Sequence, residues 1–258
     1  MNVPKKSLGQ HWLADEATLQ AICDSAGLEP KDTVLEIGPG LGNLTKQLVK
    51  HAKQVIAVEL DESLATKLPK SLEASNLEVL QADILKFDLN KLPQGYKVVA
   101  NIPYYLTSNL LRVLSESVNP PASMAILVQK EVAERICAKP GQTSLLALSV
   151  QLFYESSPGV EVPAHLFTPP PKVDSQLVLL ERHPKPLFAG LDTAKFFRIV
   201  KAGFSEKRKK LRSSLAGGLN ISKDEAVNLL KKAGIDPNLR SQQLSLDQWY
   251  RIYKEFLG

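Results

Sequence analysis

The sequence predicts an α/β domain with a doubly wound, mostly parallel sheet, followed by a small all-helical domain. Short β-branched apolar runs alternate with helical patterns through the first two-thirds of the chain, which is typical of a parallel sheet covered by helices. A glycine-rich turn follows the first of these runs, and no strand pattern remains beyond residue 183. The predicted strands are 33–37, 54–60, 78–82, 97–102 and 124–129, and the predicted helices between them are 16–26, 43–50, 62–72, 107–117 and 130–138.

The end of the α/β domain has a different pattern. An apolar helix is predicted after Ser144, and it is followed by the short apolar runs 152–155 and 176–181. A proline-containing loop separates these two runs, so we expect them to close the sheet as an antiparallel pair.

A linker is predicted at 183–186, where two prolines disfavour both helix and central strand. Beyond it, helices are predicted at 192–204, 222–233 and 246–256, with Asp192, Ser222 and Ser245 as N-caps. The predicted domains are therefore residues 1–182 and 183–258.

Composition restricts the class of protein. The chain has 258 residues, of which 44% are hydrophobic and 23% charged, as in globular proteins. It contains no apolar run near the roughly 18 residues of a membrane span, and its start does not resemble a signal peptide, so we expect a cytoplasmic location. Cys23 and Cys137 lie far apart and the four histidines are scattered, so neither a disulfide nor a metal site is expected.

Positive charge is concentrated at the C-terminus. Residues 183–258 carry 15 Lys and Arg against 7 Asp and Glu, a net charge of +8, whereas residues 1–182 have a net charge of −3. A domain this basic is expected to contact a polyanion, most commonly nucleic acid, although many basic surfaces are only solvated.

The glycine-rich turn is predicted to bind a nucleoside cofactor. The sequence Gly38-Pro-Gly-Leu-Gly42 follows strand 33–37, where glycines let a ligand approach the backbone at the carboxyl edge of the sheet. A tight turn without a ligand is the alternative. The spacing differs from the GxGxxG of dinucleotide enzymes, which places a pyrophosphate on a helix N-terminus. This difference favours S-adenosylmethionine, which has no phosphate.

Acidic residues at strand ends support this interpretation. Glu36 precedes the turn, Glu59 ends the next predicted strand, and Asp83 follows the third. Glu59 is placed to accept hydrogen bonds from both ribose hydroxyls, and Asp83 to accept one from the adenine amine of the cofactor. A single acid in such a place is commonly a cap, but several along one edge indicate a site.

The segment Asn101-Ile-Pro-Tyr104 is predicted to carry the chemistry. An amine conjugated to an adenine ring is a poor nucleophile, so acceptors must hold its hydrogens; the Asn101 side chain and the carbonyl of Ile102 or Pro103 are suited to this role. Tyr104 offers a face for stacking a flipped-out base. A simple turn after a strand is the alternative, but the position beside the predicted cofactor edge favours a site.

With these motifs, the chain resembles the bacterial small-subunit (16S) ribosomal RNA adenine dimethyltransferase family. The resemblance covers nearly the whole sequence and also rests on Ser7-Leu-Gly-Gln-His-Trp-Leu13 and on Phe167-Thr-Pro-Pro-Pro-Lys-Val-Asp-Ser175. It implies a Rossmann-like class I S-adenosylmethionine-dependent methyltransferase. The implied reaction is dimethylation of two adjacent adenosines near the 3′ end of small-subunit rRNA, within the assembling 30S particle, by a monomer that needs no metal.

The resemblance also implies residue roles. Asn101, Pro103, Tyr104 and Phe167 would act at the target base, with Phe167 opposing Tyr104; without the resemblance, Phe167 is interpreted as a core residue. The implied cofactor residues are Gln10, His11, Leu13, Gly38, Gly40, Glu59, Leu60, Asp83, Ile84 and Asn101. Three residues depart from the family pattern: His11-Trp12 replaces the usual Asn-Phe, and Tyr105 replaces a common Asn.

A cluster of cations is predicted to bind RNA phosphates. Lys207, Arg208, Lys209, Lys210 and Arg212 lie close together in the basic C-terminal segment. Such a cluster gives salt-sensitive affinity without reading sequence, although charge runs are commonly solvated faces.

Three alternatives remain open from sequence. The first is the class of large-subunit rRNA methyltransferases that confers macrolide resistance, which shares Asn-Ile-Pro-Tyr, although the Gly-Pro-Gly turn and the triple proline argue against it. The second is a non-enzymatic RNA-binding assembly or transcription factor with this fold. The third is an NAD-dependent enzyme, which would bind a nicotinamide cofactor.

Overall fold

The computed structural model describes residues 4–5, 8–206 and 208–258. Its strands are β1 (Trp12–Leu13), β2 (Thr33–Ile37), β3 (Gln54–Glu59), β4 (Leu77–Gln81), β5 (Lys97–Asn101), β6 (Ser123–Gln129), β7 (Tyr154–Val162), β8 (Phe167–Thr168) and β9 (Ser175–Arg182). Its α-helices are α1 (Glu16–Ser25), α2 (Thr45–His51), α3 (Glu62–Leu72), α4 (Thr107–Glu116), α5 (Lys130–Ile136), α6 (Leu145–Gln151), α7 (Thr193–Phe204), α8 (Leu211–Leu219), α9 (Lys223–Lys232) and α10 (Leu246–Leu257).

Among the described residues, seven strands form one sheet in the order β4-β3-β2-β5-β6-β9-β7. The five strands from β4 to β6 are parallel to one another, and β9 runs antiparallel to both β6 and β7. The predicted α/β class and the antiparallel closure are confirmed. The strand order reverses between β2 and β5, and the carboxyl ends at such a reversal form the crevice in which open α/β sheets bind ligands.

Strand β7 is longer than predicted and passes through Pro158, part of the proline-containing loop that was predicted between 152–155 and 176–181. β7 is the edge strand of the sheet and has an irregularity between Pro158 and Glu161. A proline is tolerated there because an edge strand has one side without ladder hydrogen bonds. Leu152, predicted to begin this strand, is instead the C-cap of α6.

A second, two-stranded sheet was not predicted. β1 pairs antiparallel with β8, so that Trp12 is opposite Thr168 and Leu13 is opposite Phe167. Two residues a strand are too few to produce a recognisable periodicity. This pairing ties the 8–13 segment to the proline loop at 169–171.

The chain divides into two compact units: Met1–Glu134 with Tyr154–Arg182, and Arg135–Phe153 with His183–Gly258. The predicted boundary at residue 183 agrees with the second break, but the predicted assignment of residues 135–153 to the first domain differs. Leu148 and Leu152 of this segment pack in the helical core with Phe196 and Trp249, which explains its membership of the helical unit.

Helix α8 was also missed. Its sequence contains two glycines and two serines, which are weak helix formers. Tertiary packing compensates, because Leu211, Leu215 and Leu219 are buried at a spacing of four residues. Gly218 permits close contact with α7, since a Cβ there would lie 2.6 Å from the Cα of Ala202.

No helix in the described parts of the chain combines the length and the hydropathy that a bilayer-crossing segment requires.

Candidate active site

A cavity of about 260 Å³ lies at the carboxyl ends of β2, β3 and β5. It is lined by the segments 8–13, 36–41, 58–60, 82–85 and 101–106. The structure thus brings together every residue that was predicted to bind the cofactor, namely Gln10, His11, Leu13, Gly38, Gly40, Glu59, Leu60, Asp83, Ile84 and Asn101. Pro103 and Tyr104 also line the cavity.

The turn after β2 is shaped by close contacts. Gly40 has a φ of +58°, and a Cβ at this position would lie 3.1 Å from the indole nitrogen of Trp12. Gly42 has a φ of +83°, and a Cβ there would lie 2.3 Å from Leu68 Cδ1. The positive φ favours glycine at both positions, and at Gly42 a Cβ would also clash with the Leu68 side chain. The cofactor turn is packed between the 8–13 segment and α3.

Glu59 ends β3 with its side chain 5% exposed. Its Oε2 accepts a hydrogen bond from the Gly40 amide at 3.0 Å, and its Oε1 accepts one from the Asp61 amide at 2.9 Å. Burial raises the pKa of Glu59, while these backbone donors partly offset the effect. The two amides fix the carboxylate at the pocket wall and leave it further lone pairs for a ligand.

Glu36, at the carboxyl end of β2, is 1% exposed. Its Oε2 has no hydrogen-bond partner among the described residues. Burial, together with the nearby Glu59 carboxylate, raises the pKa of Glu36 to about 8. A buried acid beside a second carboxylate favours a cation as the ligand, because a positive charge would stabilise both ionised forms.

Asp83 follows β4 at the same edge of the sheet. Its Oδ1 accepts a hydrogen bond from the Leu85 amide at 3.0 Å, and Oδ2 lies 3.9 Å from the Nζ of exposed Lys86. The carboxylate is part of a local turn and also of the cavity wall.

The 8–13 segment is held over the cavity at several points. Gln10 Oε1 accepts a hydrogen bond from the Lys5 amide, and the Lys5 ammonium lies 2.7 Å from Asp61 Oδ2. At the other end, Asn43 Nδ2 donates to the Leu13 carbonyl at 2.7 Å. Lys6 and Ser7 lie outside the described residues.

Asn101, the last residue of β5, donates from Nδ2 to the carbonyl of His11 at 3.3 Å. This bond fixes which end of the amide is the donor. It leaves Oδ1 as an acceptor at the edge of the cavity.

Tyr104 is placed by two other residues. Its hydroxyl lies 2.7 Å from the buried Ser175 Oγ, and its ring is nearly parallel to the His11 ring, with an interplanar angle of 17° and centroids 5.9 Å apart. Burial raises the pKa of its phenol. His11 in turn donates from Nδ1 to the Pro169 carbonyl at 2.7 Å, since a carbonyl oxygen can only accept. His11 therefore links the segment at 101–104 to the proline loop.

Phe167 does not line the cavity. It is 2% exposed and packs in the core with Leu13, Val162 and Leu177. The interpretation of Phe167 as a core residue describes this structure, and a role beside the target base has no geometric support in it.

Two aromatic residues of the cavity wall, Trp12 and Tyr105, were not among the predicted site residues. The Trp12 indole nitrogen is buried without a hydrogen-bond partner in the described structure, and it lies against Gly40. Tyr105 is 60% exposed at the cavity and lies against Gly9. Both residues differ from the usual family residue at their position, and this difference was the signal in the sequence that could have identified them as part of the site.

The predicted phosphate-binding cluster belongs to the helical unit. Lys207 lies outside the described residues. Arg208 and Lys209 are exposed, Lys209 forms an ion pair with Glu206, and Lys210 donates to Asn238 Oδ1. Arg212 is half-buried.

The charge of the cavity distinguishes between classes of ligand. Three acidic side chains, Glu36, Glu59 and Asp83, line it, whereas no lysine or arginine in the described residues does so. A dinucleotide pyrophosphate would be repelled by this wall, but a positively charged nucleoside would be attracted. The chemistry of the site therefore fits a sulfonium nucleoside and disfavours NAD.

Comparison with known proteins gave concordant matches. The family model described as ribosomal RNA adenine dimethylase matches residues 1–257. The chain is 43% identical to a ribosomal RNA small subunit methyltransferase A of Dehalococcoides mccartyi, over 98% of this chain and 89% of that protein. It is 40% identical to the protein of that name from Synechocystis, over 96% and 95%.

Two solved structures are also similar. A dimethyladenosine transferase from Plasmodium falciparum superposes with a TM-score of 0.83 at 27% identity, covering 96% of this chain and 98% of that one. The 23S rRNA methyltransferase ErmE superposes with a TM-score of 0.77 at 29% identity, covering 96% and 100%.

Proposed function

Because the chain belongs to the ribosomal RNA adenine dimethylase family, we propose that it dimethylates two adjacent adenosines near the 3′ end of small-subunit rRNA, with S-adenosylmethionine as methyl donor. The observation that carries the proposal is that Glu59 and the segment 101–104 line one cavity. A nucleoside bound by Glu59 and a base bound at Asn101 would therefore share that cavity.

The residues of the cavity wall support the proposed cofactor roles. When bound, S-adenosylmethionine supplies an electrophilic methyl group on a positively charged sulfur. Glu59 accepts hydrogen bonds from the ribose hydroxyls, since two backbone amides already orient its carboxylate. Asp83 accepts from the adenine amine of the cofactor. Glu36 provides negative charge to balance the cationic part of the ligand.

The target amine is held by Asn101 and a backbone carbonyl. Oδ1 of Asn101 accepts one amine hydrogen, because the Nδ2 end of the amide donates to the His11 carbonyl and thereby sets the orientation of the side chain. The Pro103 carbonyl already accepts a hydrogen bond from the Leu106 amide at 3.0 Å, which makes the Ile102 carbonyl the stronger candidate for the second hydrogen. These acceptors direct the nitrogen lone pair toward the methyl donor, so that orientation supplies most of the acceleration.

Tyr104 supports the target base. Its ring is held by Ser175 and lies parallel to His11, so the stacking face is fixed before the base arrives. Base stacking on an aromatic side chain contributes about 1–3 kcal/mol. Phe167 is not assigned a part in this step.

The small subunit is favoured over the large subunit as substrate. The fold alone does not distinguish the two substrates, because ErmE, which is named as a 23S rRNA methyltransferase, also superposes on this chain with a TM-score of 0.77. Sequence similarity does favour one, since relatives named for the small subunit are about 40% identical to this chain over nearly its full length, against 29% for ErmE. We propose the assembling 30S particle as the partner, the cytoplasm as the location, and the cations at 208–212 of the helical unit as phosphate contacts.

The test is incubation of the purified protein with labelled S-adenosylmethionine and either undermethylated small subunits or large-subunit rRNA, followed by mass analysis of the RNA. Two dimethylated adenosines in the 3′ region of the small-subunit RNA are expected. Label confined to large-subunit RNA would reject the proposed substrate. Binding of the small subunit without any transfer would favour the non-enzymatic assembly factor.

A further inference from the structure

The helical unit contains an open groove of about 480 Å³ between α7 and α8. It is lined by Ala194, Arg198, Lys201, Ala202, Ser205 and Gly218. On α7 these residues repeat at intervals of three and four, so they form one stripe along the helix. The groove is distinct from the predicted cluster at 207–212.

The floor of the groove is formed by small residues. Gly218 of α8 faces Ala202 of α7, and a Cβ on Gly218 would lie 2.6 Å from Ala202 Cα. The two helix backbones therefore meet without intervening side chains. Ala194 and Ser205, at either end of the stripe, also leave space.

The cations of the groove are available to a ligand. Arg198 and Lys201 are exposed, and in the described residues neither has a carboxylate within 4.0 Å. Two cations outside the groove are engaged: Lys195 lies 3.5 Å from Asp192 Oδ2, and Arg251 lies 3.4 Å from Asp247 Oδ2. Binding an anion at Arg198 and Lys201 would break no existing ion pair, because no carboxylate competes with the anion for these two cations.

We infer that this groove binds the phosphodiester backbone of the substrate RNA, with Arg198 and Lys201 contacting phosphates. The inference rests on the proposed function, which makes RNA the polyanion. A small-residue floor lets the strand approach the helices closely, and the two cations are one turn apart, which suits neighbouring phosphates. Such contacts position the RNA and carry no sequence information.

The test compares full-length variants for binding to undermethylated small-subunit rRNA over a range of salt concentrations. Arg198→Ala with Lys201→Ala is expected to weaken binding about tenfold at 0.1 M salt and to lower the slope of log affinity against log salt by about 1.5. The matched control is Lys231→Ala with Lys232→Ala, which removes the same charge from exposed positions of α9 outside the groove. Equal effects of the two double variants would overturn the inference.

A second pair of variants leaves both groove cations in place. Ala194→Glu puts a carboxylate four residues before Arg198 on α7, where the two side chains form an ion pair. It should weaken RNA binding more than Gln242→Glu, which adds the same charge at an exposed site elsewhere in the unit. If wild-type protein methylates the RNA but all four variants bind it like wild type, the groove is excluded and the proposed function stands. If wild-type protein neither binds nor methylates it, the proposed function fails first.

Discussion

The side-chain amide of Asn101 donates from Nδ2 to the main-chain carbonyl of His11 at 3.3 Å. This bond joins the end of β5 to the 8–13 segment and decides the orientation of the amide. A side chain that emerges from the sheet edge is thereby aimed by a residue 90 positions earlier in the chain. The acceptor that the proposed reaction needs is consequently in place before any ligand binds.

We therefore predict that Asn101→Ala lowers kcat by about 10²- to 10³-fold, the usual loss when one preorganised polar group at a reacting centre is removed. Cofactor affinity should change only a few-fold, because Glu59 and Asp83 remain. Single-turnover methylation and calorimetric titration of the cofactor measure the two effects. Undiminished turnover would remove Asn101 from the mechanism.

The sequence revealed much of this site because its residues follow strand ends. Glu36, Glu59 and Asn101 end or nearly end three adjacent strands of a parallel sheet, β2, β3 and β5, and such ends meet at one edge. The reversal of strand order between β2 and β5 then brings them to one crevice.

Contacts over long sequence distances were not predictable from the same patterns. The hydrogen bond between His11 and Pro169 and the pairing of β1 with β8 depend on tertiary folding, and neither leaves a periodic signal. The position of Phe167 followed from the same pairing, since its partner Leu13 draws it into the core. Helix α8 was hidden because its stability comes from packing rather than from propensity.

The ring and the hydroxyl group of Tyr104 should contribute differently to kcat/KM for RNA. Tyr104→Ala removes the stacking face and is expected to lower kcat/KM for RNA by about 5- to 150-fold, equivalent to 1–3 kcal/mol. Tyr104→Phe keeps the ring and loses only the bond to Ser175 Oγ, so the loss should stay below about tenfold. Steady-state kinetics on undermethylated small subunits measures both. Equal losses in the two variants would show that the hydroxyl, and not the ring, is what matters.

Cofactor binding should release a proton from Glu36. Burial raises the pKa of this carboxyl from 4.5 to about 8, so it is largely protonated at pH 7 in the free protein. Its contribution to folding stability is complete below about pH 4.5 and is lost as the pH rises through 8. A cationic ligand favours the ionised form and lowers the pKa, so affinity should increase between pH 6 and pH 8.

Calorimetry at pH 7 in buffers of different ionisation enthalpy measures the number of protons released. Glu36→Gln is the control, because it keeps the shape of the side chain and cannot titrate. The variant should release fewer protons than the wild type and show a weaker pH dependence. Identical proton release in both proteins would assign the titration to another group, such as the amino group of the ligand.

Gly42 should be the position in the cofactor turn least tolerant of a side chain. Gly42→Ala forces a non-glycine residue to a φ of +83° and places its Cβ 2.3 Å from Leu68 Cδ1, so the buried Leu68 side chain, α3 or the turn must move. Left-handed strain contributes about 1–2 kcal/mol and overpacking about 1–3 kcal/mol, which gives an expected loss of about 2–5 kcal/mol in the free energy of unfolding.

Gly95→Ala is the matched control, since Gly95 has a φ of +79° but no atom within 4 Å of the added Cβ. Its free energy of unfolding should fall only by the contribution of the left-handed strain. Denaturant unfolding followed by circular dichroism compares the two variants. The larger loss of stability at Gly42 should be accompanied by weaker cofactor binding, because a displaced turn no longer presents the Gly40 amide to Glu59. Equal losses of stability in the two variants would show that the added methyl group at Gly42 is accommodated against α3 without overpacking.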